Sequence, residues 1–262
     1  MIDDTRPAAV AGMFYTDNAD ELRRQVRAFL EQAVVPDWPP RAVVSPHAGY
    51  MFSGVTAGFA WASAARRTGS IKRVLLLGPS HRVPFRGLAT SPAARWQTPL
   101  GSIDLDQDGA EQLQQLTGLQ PMAAAHAEEH SLEVQVPFIQ IVFPKAQLLP
   151  LVVGDASPSK VAEVIKPYWD DEETLIAIST DLSHFHDYPT AQQIDTRTTQ
   201  AIEQCDYNAI GPEQACGCRP LDGLLKLAAE HDCSVITLDQ RNSGDTAGDR
   251  SRVVGYGAYA VQ

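Results

Sequence analysis

Three histidines in this 262-residue chain each follow an apolar run by a few residues. AVVS leads to Pro46-His47, VLLLG to Pro79-Ser80-His81, and LIAIST to Asp181-Leu182-Ser183-His184. In an open α/β sheet, the loops leaving the carboxyl ends of parallel strands converge on one edge, where small ligands bind. Any one of these imidazoles alone reads more simply as a histidine satisfied at a strand end. Three of them at one edge point to a metal site.

A fourth group of a different kind is Cys216, in Ala215-Cys216-Gly217-Cys218-Arg219-Pro220, just before the apolar-periodic segment LDGLLKLAA. A sulfur near a helix amino terminus and beside Arg219 should have a lowered pKa, favouring the thiolate that binds metals or acts as a nucleophile. A buried, inert cysteine is the competing reading. Two imidazoles and a thiolate make a three-ligand site with an open position, suited to zinc, copper or iron rather than magnesium or calcium.

Acids accompany these groups. Asp181, three residues before His184, either orients an imidazole or shares its proton, or else caps the following turn. Glu128-Glu129-His130, followed by Glu133, forms a second acid/base cluster where a helix starts, a place that favours acidic residues anyway. His126 and His186 have no such setting, and His231 falls where a helix ends and a positive charge is favourable. No G-x-x-x-x-G-K-S/T or G-x-S-x-G motif occurs, and Gly255-Tyr256-Gly257 lies at the end of the chain with no room for a phosphate-binding helix.

The elements that must position these residues alternate in the βαβ manner. Strands are predicted over 42–45, 72–78, 147–154, 174–180, 234–240 and 252–262, with short strands within 88–105. Helices are predicted over 21–33, 54–67, 107–117, 131–143, 159–169, near 190–204 and over 219–230. The segment Asp17-Asn18-Ala19-Asp20 can cap the first helix. With 44% hydrophobic residues the chain can bury a large core, and with no linker or repeat, residues 1–262 read as a single α/β domain with a mixed or mostly parallel central sheet flanked by helices. A net charge of -11 does not fit a nucleic-acid binder. No stretch approaches the ~20 apolar residues of a membrane span, and MIDDTRP lacks the basic and apolar regions of a signal peptide, so a cytoplasmic protein with reduced cysteines is expected.

Several segments together resemble the MEMO family, whose bacterial and archaeal members include the AmmeMemoRadiSam system protein B. They are Arg6-Pro7-Ala8-Ala9-Val10-Ala11-Gly12-Met13-Phe14-Tyr15, Ser45-Pro46-His47-Ala48-Gly49-Tyr50 with Phe52-Ser53-Gly54, Gly78-Pro79-Ser80-His81, Glu129-His130-Ser131-Leu132-Glu133 and Ser179-Thr180-Asp181-Leu182-Ser183-His184. The resemblance implies a fold similar to class III extradiol dioxygenases, which hold non-heme iron with two histidines and a glutamate. It implies a metal set of His47, His81 and Cys216, with iron or copper, or zinc, as the cofactor. His184 would stand where those dioxygenases keep their catalytic histidine, with Asp181 and His130 in supporting or acid/base positions. Cys218 departs from the pattern expected after the Cys-Gly pair, so either sulfur could reach a metal, or the two could be a redox pair. Three roles follow from the resemblance. One is a redox-active metal protein or an O₂-dependent oxidoreductase related to the dioxygenases. Another is a binding protein for a small-molecule, anionic or peptide ligand. The third is a partner of a radical SAM protein in a modification pathway.

Overall fold

The computed structural model describes residues 4–262; the first three residues of the amino terminus read above for targeting signals lie outside the described residues. In chain order the elements are β1 (Thr5–Arg6), α1 (Ala19–Gln32), β2 (Ala42–Ser45), α2 (Tyr50–Ala64), β3 (Arg73–Pro79), β4 (Leu88–Thr90), β5 (Arg95–Thr98), β6 (Gly101–Asp104), α3 (Gln107–Thr117) and β7 (Gln120–Pro121). They continue with α4 (Ala123–Ala127), α5 (His130–Glu133), α6 (Val136–Val142), β8 (Gln147–Val153), α7 (Pro158–Ile165), β9 (Thr174–Ser179), β10 (His184–His186), α8 (Tyr188–Glu203), α9 (Cys218–Glu230), β11 (Val235–Asn242) and β12 (Val253–Val261).

The large sheet runs β10-β12-β2-β9-β3-β8-β4-β7, with β11 also paired to β12. Its middle, β2-β9-β3-β8, is parallel, and β12 and β4 close that block with antiparallel pairings. The expected α/β fold with a mixed sheet is therefore what the chain forms. The four parallel strands read as near-continuous apolar runs because both faces are covered. Successive side chains alternate between two cores. Val44, Leu75, Leu77, Ile176 and Ile178 pack under α7 and α9, while Val43, Val74, Leu76, Leu175 and Ala177 pack under α1, α2 and α6. A separate three-stranded sheet, β1-β5-β6, accounts for part of the weak 88–105 pattern.

Several boundaries differ from expectation, each for a local reason. The helix expected over 131–143 is two short pieces, α5 and α6, with Pro137 in the first turn of the second, where its missing N–H costs nothing. The helix expected over 159–169 stops at Ile165, and Lys166-Pro167-Tyr168 tightens into a 3-10 turn. The helix expected from 54 begins at Tyr50, so its first turn lies directly behind the His47 loop. Short α4 was not expected at all. Asn18 caps α1 as read, accepting from Asp20 and Glu21 N–H.

The small residues of α2 let α1 approach closely. A Cβ at Gly58 would lie 2.5 Å from the Phe29 carbonyl oxygen, a backbone atom that cannot swing aside. Alanine gains about 1 kcal/mol of helix propensity over glycine, whereas overpacking a core costs roughly 1–3 kcal/mol. Gly58→Ala is therefore expected to lower the urea unfolding midpoint, and an unchanged or raised midpoint would show that the two helices can separate at no cost.

Candidate metal centre

The carboxyl ends of β2, β9 and β3 are neighbours in the sheet, and the loops that leave them carry His47, Asp181 with His184, and His81. The His47 and His81 ring centroids are 5.2 Å apart, nearly perpendicular. Cys216 Sγ lies 3.3 Å from His47 Nε2. One ligating atom from each of His47, His81 and Cys216 lies within 4.8 Å of the other two.

The hydrogen bonds around these rings fix which nitrogen faces the cluster. The Ser179 hydroxyl donates to the Ser131 carbonyl at 2.6 Å, which uses its one proton. Its lone pairs then accept from Gln135 Nε2 at 2.9 Å and from His47 Nδ1 at 3.0 Å. The Gln135 amide cannot be flipped, because its Oε1 accepts from Trp61 Nε1, which can only donate. His47 therefore carries its proton on Nδ1 and presents an Nε2 lone pair to Cys216. Burial, followed by the charges of His81 and His130, holds His47 well below the ordinary histidine pKa, so the ring is neutral. For His81 the partner is Glu129, whose carboxylate accepts from the His81 N–H at 2.6 Å and from Nδ1 at 2.9 Å, as well as from Ser131 N–H at 2.9 Å. Burial alone would raise the Glu129 pKa, but the hydrogen bonds from the His81 ring and backbone and from Ser131 N–H outweigh it and hold the acid at about 2. An ionised carboxylate only accepts, so His81 donates through Nδ1 and its Nε2 is free. This is the carboxylate-histidine arrangement that orients metal ligands.

Cys216 differs from expectation. It stands two residues before α9 begins at Cys218, and Arg219 turns away to pair with Asp155 at 2.8 Å and with the Ala156 carbonyl at 3.2 Å. Arg219 is thus not beside this sulfur. Burial, with the nearby Asp181 carboxylate, pushes the Cys216 thiol up to about 12. The local help for a thiolate is the Asp181 N–H, which donates to Sγ at 3.4 Å. Cys218, the first residue of α9, packs into the core and does not join the histidines.

Asp181 caps no helix, since the residues after it lead into β10. Its Oδ1 accepts from the backbone N–H groups of His47 at 2.7 Å and Ala48 at 3.3 Å, so it pins the His47 loop rather than bonding an imidazole ring. His184 stands at the half-buried rim. Its Nδ1 donates to the Leu182 carbonyl at 2.8 Å, leaving Nε2 free, and it lies near enough to bear on the ionisation of both His47 and Asp181. The adjacent Phe185 has φ of 63° at a bulge in the pairing of β10 with β12. His130 stacks on His81 at 4.6 Å and lies 5.4 Å from His47, with Phe14 on it at 4.7 Å. His81, Glu129 and His130 form a second group with ligating atoms within 4.8 Å.

The remaining readings separate. Glu133 is no part of the cluster: its carboxylate accepts from Ala9 and Val10 N–H, Tyr15 Oη and Arg6, binding the amino-terminal segment. His126 donates to the Ala89 carbonyl in the core, and His231 closes α9 against Trp169. Ser179 and Gln135 were not foreseen, because nothing in their residue types or spacing marks them.

These pKa values set the acid stability of the metal-free protein. Burial pushes His126 and His130 down to about 4 and lowers His47 as well, so the unfolded chain takes up protons at these positions near pH 6.5 while the folded chain does not. Their stabilising contribution is present above 6.5 and lost as the pH falls towards 4; that of Glu129 follows between 4.5 and about 2. Burial raises the Asp222 carboxyl to about 7 and those of Asp181 and Asp195 as well, which acts in the opposite direction over the same range, so the test is a difference: the wild-type urea midpoint relative to that of His126→Gln should hold steady between about pH 7 and 8 and fall as the pH drops towards 4. A constant difference down to about pH 4 would mean that His126 is not buried neutral.

Residues 6–260 match the family of Memo-like proteins. A MEMO1 family protein of Thermotoga neapolitana is 34% identical, with 96% of this chain and 97% of that protein covered. Relatives bearing the same description in Sulfurisphaera tokodaii and Methanopyrus kandleri are 32% and 31% identical, covering 96% and 98% of this chain and 97% and 99% of theirs. A crystal structure of an uncharacterized Escherichia coli K12 protein superimposes with a TM-score of 0.54 at 12% identity, over 82% of this chain and 98% of that one, which is a likeness of fold. The chain belongs to the Memo-like protein family.

Proposed function

We propose that this protein holds a redox-active metal ion, iron or copper, between His47 Nε2, His81 Nε2 and Cys216 Sγ. The observation that carries this reading is the pair of fixed tautomers: two imidazole lone pairs and one sulfur converge, and each ring is oriented from behind by Ser179 or Glu129. Neutral imidazole and thiolate ligands suit iron, copper or zinc. The donor set fits such an ion, and when bound it would supply Lewis acidity and one-electron chemistry at an open position.

The residues around it have separable tasks. Asp181 fixes the backbone at His47, Glu129 keeps His81 in its tautomer, and the Asp181 N–H supports the charge on Cys216. Cys216 must lose its proton on binding. With its thiol held near 12, apparent affinity should rise by about tenfold per pH unit through the neutral range. His184, with a free Nε2 at the rim, favours a role in moving a proton to or from a ligand, which supports an O₂-dependent oxidoreductase over a purely binding protein.

Metal analysis of protein purified without air or chelator tests the site. His47→Ala, His81→Ala and Cys216→Ser should each lose bound metal, whereas His184→Ala should keep it. Unchanged stoichiometry in the first three would eliminate the site. Where the wild type consumes O₂ with a catechol, His184→Ala should lower turnover by roughly 10² to 10⁴. Metal binding without any O₂ consumption would leave a binding role in place of catalysis.

A further inference from the structure

We propose that Cys216 and Cys218 are a reversible disulfide pair, and that closing it withdraws the sulfur from the His47–His81 cluster. The disulfide stands on chain geometry alone; its effect on metal rests on the function proposed above.

The segment Ala215-Cys216-Gly217-Cys218 is a tight turn closed by the Cys218 N–H to the Ala215 carbonyl at 3.1 Å. Gly217, between the two cysteines, has φ of -95° and ψ of 30°. These dihedrals resemble those of the third residue of a type I turn, a compact conformation in which Cα atoms two residues apart are about 5.5 Å from one another. That lies inside the range of about 4.4–6.8 Å found for disulfides. Gly217 is also held in place: a Cβ there would meet Thr180 Cβ at 2.6 Å and the Ser179 carbonyl at 2.8 Å, and the Gly217 N–H donates to Thr180 Oγ1 at 2.8 Å. The turn is therefore fixed against the end of β9, and the flanking cysteines are fixed with it.

Both cysteines line one cavity of about 290 Å³, walled by Pro79, Pro84, Phe85, Val153, Pro212 and Pro220. An oxidant of modest size can reach the pair there without the protein opening. Cys216 is the partly accessible thiol and Cys218 the buried one, so access puts Cys216 first and Cys218 second; because burial holds the Cys216 thiol up, the first attack is slow at neutral pH and is driven by excess peroxide.

With a hydroperoxide as oxidant the step balances. The Cys216 sulfur attacks the distal oxygen and the O–O bond breaks. The thiol proton passes to the departing alkoxide, giving an alcohol and a Cys216 sulfenic acid. The Cys218 sulfur then attacks the sulfenic sulfur and the S–O bond breaks. Water leaves with the Cys218 proton, and the S–S bond forms. Two thiols are oxidised by two electrons and one peroxide is reduced. A small dithiol reverses the change by exchange. Cys205 and Cys233 lie outside this turn and keep their thiols.

The test uses full-length protein stripped of metal by chelator, treated with hydrogen peroxide, then alkylated and digested. The peptide carrying both cysteines should appear unalkylated and lighter by two hydrogens, and a dithiol should restore two alkylatable thiols. In Cys218→Ser, the same treatment should leave a sulfenic acid at Cys216 that dimedone traps. A peptide that remains fully alkylated, or a linkage of either residue to Cys205 or Cys233, would overturn the pair. Zinc binding is then compared before and after oxidation. Oxidised wild type should bind as weakly as reduced Cys216→Ser, while Cys218→Ser binds like reduced wild type. Equal zinc binding by oxidised and reduced wild type would overturn the coupling while the mass result still decides the disulfide, and no binding by reduced wild type would count against the metal site alone.

Discussion

The Ser179 hydroxyl has one proton to give, and the arrangement of the site depends on where it goes. Because that proton is spent on the Ser131 carbonyl, Gln135 and His47 must both act as donors to Ser179, and His47 is left with its lone pair facing Cys216. Reversing any bond in this chain would leave a buried donor or acceptor without a partner, a loss of about 1–3 kcal/mol. The tautomer is thereby set by a network that reaches back through Gln135 to Trp61 in the core, and His81 receives the same treatment from an ionised Glu129. The helical layer under the sheet and the loops above it are coupled by polar bonds as well as by packing.

The segment Glu129-His130-Ser131-Leu132-Glu133 shows how one short stretch serves two regions. Glu129 faces the cluster, Ser131 ties to the ends of β3 and β9, and Glu133 faces the other way to collect the backbone of Ala9 and Val10, the Tyr15 hydroxyl and Arg6. The amino-terminal segment held by Glu133 supplies Phe14, which lies against His130. A buried ion pair of this kind carries a desolvation cost. Here it fixes the position of a chain segment that would otherwise lie loose over the site.

Much of this was legible in the sequence, and the reasons for success and failure are physical. The strands of the parallel block were readable because burial on both faces demands unbroken apolar runs, and the three histidines stood out because they ended such runs. The break between α5 and α6 was not readable, because the apolar period continues across it while Gln135 is turned inward by partners at positions 46, 61 and 179. β10 gave no signal, since three residues are too few for alternation to register and the one apolar residue among them, Phe185, is exposed and at positive φ. Proximity in the chain misled at Arg219, three positions from Cys216. The first turn of α9 carries its guanidinium to Asp155 instead. Ser179 and Gln135 are ordinary residue types whose importance comes entirely from neighbours far away in the chain.

The bond between His47 and Cys216 joins residues 169 positions apart, and β12, the last strand, pairs directly with β2, which precedes His47. Sheets with such distant pairings assemble slowly, because the entropy of closing long loops is lost before the contacts that compensate for it can form. During synthesis the two imidazoles leave the ribosome long before the sulfur does, and the strand that locks the edge of the parallel block comes last of all. A half-made chain exposes histidines without the geometry to retain an ion. For the ion proposed above, loading would then follow the pairing of β12 with β2, and misassembled copies would remain empty.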